Sequence, residues 1–282
     1  MTPSPMAPRD AFAREVKRTD EGVNLARAAL HVAREEYPQL PVERYLSQLD
    51  QLAEEVLDRL ADETAPLVLL HELLATLYDR NGFRGNREAY YDPRNSFLSD
   101  VLDRRRGIPL TLGIVLLEVG WRLGLPLEGV NFPGHFLVRY SGEEIRLLID
   151  PFEDGKVRFE DEAQELLDRV YGGTVRVRPE FLRRAGRREM LVRLLTNLKG
   201  VYLNVEDHAR ALAAVERILV IHPTAPNEIR DRGHLLAQMG RSDEAVEQLE
   251  WYLDSRPEAA DADRIRALVD ELRDEGRAGR GT

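Results

Sequence analysis

His135-Phe-Leu-Val-Arg-Tyr-Ser-Gly-Glu-Glu-Ile-Arg-Leu-Leu-Ile-Asp150 is the stretch whose reading decides the fold. Phe136, Val138 and Tyr140 alternate with His135, Leu137 and Arg139. After Ser141-Gly-Glu-Glu144, Ile145, Leu147 and Ile149 alternate with Arg146, Leu148 and Asp150. A period of two on both sides of a short Gly-containing loop predicts an antiparallel hairpin. With the turn centred on Gly142 and Glu143, His135 stands opposite Asp150. Side chains at such a pair have Cβ atoms about 4.5–5.5 Å apart. The face from Phe136 to Ile149 is the core side, and the other face presents the His–Asp pair. A one-residue slip would exchange the two faces.

Upstream of the hairpin the period is helical. Leu110 to Leu123 is apolar almost all round, broken mainly by Thr111, Glu118 and Arg122. Such a helix is buried. Pro109 suits its first turn and Gly124-Leu-Pro126 ends it. Three amphipathic helices come earlier: one from Asn24, one carrying Tyr45 to Leu60, one following Pro66. A polar loop at 80–86 follows, then a short helix from Asn95 or Ser96. Helices ahead of an antiparallel sheet make an α+β domain. Residues 1–18, with Pro3, Pro5 and Pro8, read as a disordered tail.

Downstream the chain repeats itself. Pro223 and Pro257 lie 34 residues apart, as do Ala211 and Ala245, Val215 and Leu249, and Leu219 and Leu253. That period, with Ala followed twelve residues on by Pro, is the tetratricopeptide spacing. Gly233 completes the second copy; Lys199 takes its place in the first. Asp261 to Arg273 supplies a polar terminal helix. The expected organisation is a tail at 1–18, an α+β domain at 19–183, an all-α repeat domain at 187–275 and a tail at 276–282.

Composition narrows the function. With 50 Asp+Glu against 40 Lys+Arg the net charge is -10, which argues against nucleic acid as the main partner. No Cys is present, so thiolate chemistry and thiolate metal sites are excluded. The His residues show no metal-ligand spacing, so neither a metal nor a cofactor is expected. Met1 to Arg9 lacks the apolar core of a signal peptide, and no apolar run reaches the roughly 18 residues a membrane span needs. Cytoplasmic residence is expected. Arg104-Arg-Arg106 could meet an acidic partner, though a solvated helix end is the plainer reading. The basic stretch Arg176, Arg178, Arg183, Arg184, Arg187 and Arg188 reads as a linker paired with surface carboxylates.

A carboxylate beside an imidazole orients the ring and raises its basicity, the base-and-orienter half of a triad. Gly107-Ile-Pro-Leu-Thr-Leu112, Arg122-Leu-Gly-Leu-Pro-Leu-Glu-Gly129, Pro133-Gly-His-Phe-Leu-Val-Arg139 and Leu148-Ile-Asp-Pro151 together resemble the bacterial transglutaminase-like, tetratricopeptide-repeat proteins of the SirB type. Asn24-Leu-Ala-Arg-Ala-Ala-Leu30 and Tyr90-Tyr-Asp-Pro-Arg-Asn-Ser96 extend the likeness, which covers the chain from about residue 20 to 275. In the wider superfamily a Cys at the start of a buried helix attacks an acyl group, and a His and an Asp on adjacent strands activate it. The resemblance puts His135 and Asp150 in those two places and Pro109 where the Cys belongs. Thr111 is the nearest hydroxyl, a far weaker nucleophile than a thiolate. By resemblance, Asn86, Tyr90 and Pro109 line the pocket.

The leading expectation is a non-catalytic regulatory or scaffolding protein on a degenerate transglutaminase-like fold. It would take a protein or peptide partner through the repeat groove and the His–Asp pocket. The alternative is an amide hydrolase or acyltransferase using His135 and Asp150 with Thr111 or water as nucleophile. A ligand sensor is a third possibility.

Overall fold

The computed structural model describes residues 7–60 and 65–279. The chain divides into two compact units inside a helix, between Leu194 and Leu195, later than the expected boundary at 183–187.

The first unit opens with helices α1 (Pro8–Val16), α2 (Leu25–Ala33), α3 (Val42–Leu60), α4 (Pro66–Leu74), α5 (Leu98–Arg104) and α6 (Pro109–Arg122). Asn24 caps α2 by accepting the Arg27 N–H at 2.8 Å. Pro109 occupies the first turn of α6, nearly every residue of which is buried. Gly124, at φ 73°, ends that helix in the left-handed region that favours glycine. The buried Glu118 of α6 is satisfied twice: it accepts the Ala26 N–H at 2.8 Å and pairs with Arg122 at 2.6 Å.

Helix α1 corrects the reading of residues 1–18 as a tail. Pro8 starts it, and Ala11, Phe12, Glu15 and Val16 form its buried face. Glu15 accepts the Asn24 N–H at 2.7 Å, fastening α1 to the start of α2. One Phe among alanines gave the sequence too faint a period to read. Residues 1–6 of that expected tail, and 280–282 of the C-terminal one, lie outside the described residues.

Strands β1 (Arg84–Gly85) and β2 (Arg106–Gly107) form a short parallel pair before α6. Strands β3 (Leu127–Val130), β4 (Leu137–Ser141), β5 (Arg146–Asp150), β6 (Lys156–Arg158) and β7 (Arg184–Ala185) form an antiparallel sheet in the order β6-β5-β4-β3-β7. The expected hairpin is β4–β5, with a register two residues from the expected one: Arg139 faces Leu148 and Ser141 faces Arg146. The loop is Gly142 to Ile145, closed by Gly142 N–H to Ile145 C=O at 3.1 Å, so the turn centres one residue later than Gly142-Glu143. Because the shift is even, no side chain changes face. Gly113 and Gly120 of α6 leave room for Phe136 and Leu127 on the core side.

The other face is not open as expected. Val130, Leu137 and Leu148 pack there against Ala163, Leu166 and Leu167, with Val175, Val177, Phe181 and Leu182 around them. Three of those residues belong to helix α7 (Ala163–Tyr171). Leu137 and Leu148, apolar residues on the same face as Arg139 and Arg146, are the sequence signal of this second core. The basic stretch also does more than link. Asp20 accepts the N–H groups of Arg187 and Arg188 at 2.9 and 3.0 Å. The Arg187 guanidinium donates to the carbonyls of Glu21 and Val23 and lies 4.4 Å from the Trp121 ring.

The second unit holds the end of α8 (Arg187–Asn204), then α9 (His208–Ile221), α10 (Pro226–Gln238), α11 (Ser242–Ser255) and α12 (Ala262–Gly279). Helices α9 and α11 stop two residues before Pro223 and Pro257, as the repeat requires. Ala211 and Ala245 are fully buried. A Cβ on Gly233 would stand 2.7 Å from Leu249 Cγ, so glycine lets α10 approach α11. Residues 276–279 continue α12 instead of forming a tail.

A candidate site around His135 and Asp150

Phe132-Pro-Gly-His135 is a tight turn: the His135 N–H donates to the Phe132 carbonyl at 3.0 Å, and Gly134 has φ 68°. Pro second and Gly third is the sequence such a turn demands. It delivers the imidazole to the end of β5, where Nε2 stands 2.9 Å from Asp150 Oδ1. The contact is close but makes no aligned N–H···O bond. Asp150 Oδ1 also accepts the N–H groups of Phe152 and Glu153 at 3.0 and 3.2 Å. Burial pushes this carboxyl up; His135 and the two backbone donors outweigh burial and hold it below the usual value.

Phe152 gathers the surroundings. The His135 ring meets it edge-on at 6.3 Å and Tyr90 at 5.9 Å, while the Arg87 guanidinium lies 5.1 Å from its centroid. Tyr90 packs edge-on against Tyr91, and both are exposed. Arg193 of α8 donates to Asn131 Oδ1 and the Phe132 carbonyl, each at 3.3 Å. Burial lowers its guanidinium pKa, opposed by Tyr90 and Tyr171. Burial raises the Tyr90 phenol, against the pull of Arg193.

Asn86 and Thr111 converge elsewhere, on Asn95. Asn86 Nδ2 donates to Asn95 Oδ1 at 2.9 Å, and Asn95 Nδ2 donates to the carbonyls of Ala89 and Tyr90. Thr111 is fully buried. Its hydroxyl donates to the Asn95 carbonyl at 2.7 Å and accepts the Ile108 N–H at 3.2 Å. The start of α6 therefore holds the loop that carries Tyr90. Pro109 is buried in that same first turn. Sequence reasoning missed Asn95, Phe152 and Arg193. Phe152 could have been suspected from its place two residues beyond Asp150; Asn95 and Arg193 carry no local signal. No group of three or more His, Asp or Glu side chains forms a metal-binding cluster among the described residues.

A helical layer, an antiparallel sheet with His and Asp meeting at its strand ends, and two helical hairpins of tetratricopeptide spacing define a transglutaminase-like domain joined to a repeat domain. The chain belongs to the transglutaminase-like superfamily, whose family model matches residues 43–196, and a tetratricopeptide-repeat model matches 198–270. Its relatives are bacterial proteins named UPF0162. That of Xylella fastidiosa (strain Temecula1) is 37% identical, over 91% of this chain and 92% of its own. UPF0162 protein YchA of Escherichia coli K12 is 31% identical, over 89% and 91%. Among solved structures, the crystal structure of menin, titled as revealing the binding site for the Mixed Lineage Leukemia protein, superposes with a TM-score of 0.42. It shares 10% identity and covers 87% of this chain and 68% of its own, a likeness too slight to bear on function. No helix is long and apolar enough to cross a membrane among the described residues.

Proposed function

We propose that this protein binds polypeptide segments beside the His135–Asp150 pair, across Tyr90, Phe152 and His135, as a non-catalytic scaffold, with the repeat unit as a second binding surface. The observation that carries the reading is the state of Thr111. Its hydroxyl gives its proton to the Asn95 carbonyl and is sealed from solvent, and the chain has no Cys to replace it. A His–Asp pair without a nucleophile cannot run a covalent acyl cycle. Exposed Tyr90 and Tyr91 and the half-buried Arg193 are residue types enriched in binding hot spots, and the Phe152 ring adds the aromatic surface common at interface cores. Tetratricopeptide repeats commonly mediate protein interactions, and stacked helices offer a groove for a peptide.

The 2.9 Å approach of His135 to Asp150 favours a second reading, a hydrolase in which the pair activates water. One experiment separates them. An array of random-sequence peptides is probed with the whole chain, with Tyr90→Ala and with His135→Ala. Bound peptides are then weighed by mass spectrometry. The expected result is binding weakened about tenfold or more by Tyr90→Ala, with every peptide mass unchanged. Peptides cleaved or modified by the wild type and left intact by His135→Ala would establish the hydrolase.

A further inference from the structure

The parallel pairing of β1 with β2 sets Arg84 opposite Arg106. Like charges placed side by side across two strands repel each other. Among the described residues neither guanidinium forms an ion pair, and Arg84 makes only a long 3.5 Å bond to the Gly82 carbonyl. Both side chains line a cavity of about 290 Å³ with Arg87, Asn86 and Phe152. Arg87, stacked on Phe152, also lacks a carboxylate partner among the described residues.

Neighbouring arginines behave differently. Arg104 reaches Asp92 at 3.4 Å, and Arg105 lies over the Phe83 ring at 4.5 Å. Of the Arg104-Arg-Arg106 run, only Arg106 turns to this cavity. Glu88 and Asp154 also line it without pairing with the three guanidinium groups. Three cations against two carboxylates leave one positive charge, the complement of a single carboxylate. Guanidinium forks fit such an oxyanion bidentately.

We infer that this cavity binds the side-chain carboxylate of an acidic peptide segment lying across Tyr90, Phe152 and His135, so that the protein selects acidic partners. Phe152 is common to both places: Gly85 and Arg87 lie against it on the cavity side, and His135 and Tyr90 meet it edge-on. The inference rests on the peptide-binding reading for its ligand, while the anion site itself is testable without a peptide.

The test follows the arginine Nε–H signals of the whole, ¹⁵N-labelled chain by NMR. Glutarate, inorganic phosphate or sodium chloride is added at matched ionic strength. Glutarate is expected to shift the Arg84, Arg87 and Arg106 signals saturably and to bind more tightly than phosphate. Arg106→Gln should weaken it about tenfold or more, with Arg87→Gln as a second variant should Arg106→Gln fold poorly. Shifts that follow ionic strength alone, or that persist in both variants, overturn the site. Tighter phosphate binding overturns the carboxylate assignment. If glutarate binds and no array peptide does, the cavity stands and the peptide reading falls. If array peptides bind without regard to acidity, and Arg106→Gln leaves them unaffected, acidic selection falls and peptide binding stands.

Discussion

The backbone of Gly85 closely approaches the ring of Phe152: a Cβ there would stand 2.6 Å from two ring carbons. Glycine at this strand position lets the ring that touches His135 and Tyr90 sit where it does. Gly85→Ala forces the ring or the β1–β2 pair aside. The expected loss is about 1–3 kcal/mol of stability, read by urea denaturation, with weaker peptide binding because Phe152 is displaced. A variant of wild-type stability whose NMR contacts between Phe152 and His135 are unchanged would show that the site does not depend on this contact.

Thr111 is a structural clasp in the geometry described, and its substitutions test that. Thr111→Val keeps the shape and removes the hydroxyl that joins Asn95 to the start of α6. The Ile108 N–H and Asn95 carbonyl then lose a buried partner, for an expected cost of about 1–3 kcal/mol. Thr111→Ser keeps the hydroxyl and should lose less. Equal denaturation midpoints for the two variants would contradict the clasp.

His31 of α2 makes the fold acid-sensitive. It is buried, and its Nδ1 has no hydrogen-bond partner among the described residues. Burial, aided by Arg34, Arg27 and Arg14 and opposed by Glu15, lowers its pKa from 6.5 to about 4. The folded protein thus keeps the ring neutral where the unfolded chain already protonates it. Its stabilising contribution is complete above about 6.5, falls as pH drops through the window to about 4, and is gone below it. His31→Leu should flatten the stability–pH curve of the wild type in that window, measured by urea midpoints. Parallel curves would show that His31 does not titrate between those values.

What was legible in the sequence was periodic. The alternation at 136–149, the apolar run at 110–123 and the 34-residue spacing each repeat a physical requirement several times, so each element announced itself. The register was less secure: a glycine suggested a two-residue turn at Gly142-Glu143, whereas the loop runs to Ile145. His135 and Asp150 nonetheless meet, because Pro133-Gly134 bends the chain before β4 and Asp150 ends β5. Helix α1 was illegible because Phe12 is its single large apolar anchor. Asn95, Phe152 and Arg193 lie on three distant segments, and no local spacing encodes the contacts each makes.

Lys199 offers a test in which pattern and structure disagree. It holds the place that Gly233 holds 34 residues later, so restoring the repeat would suggest Lys199→Gly. The lysine is largely buried, and its Nζ lies 2.8 Å from Glu228 and 2.9 Å from Asp231. Burial pushes its pKa down, but the two carboxylates outweigh burial and hold it above the ordinary value. Removing it leaves Glu228 without this partner, while Asp231 keeps Arg230 at 2.9 Å. Glycine inside a helix costs about 1 kcal/mol more than alanine, and breaking a partly buried pair falls between the ~1 kcal/mol of exposed pairs and the ~3–5 kcal/mol of buried ones. Lys199→Gly should therefore destabilise the protein by about 2–4 kcal/mol. Lys199→Met, which keeps the stem and the helix propensity, should show the charge part alone. Denaturation midpoints decide it: a Lys199→Gly protein as stable as the wild type would mean that the repeat pattern outweighs the ion pairs.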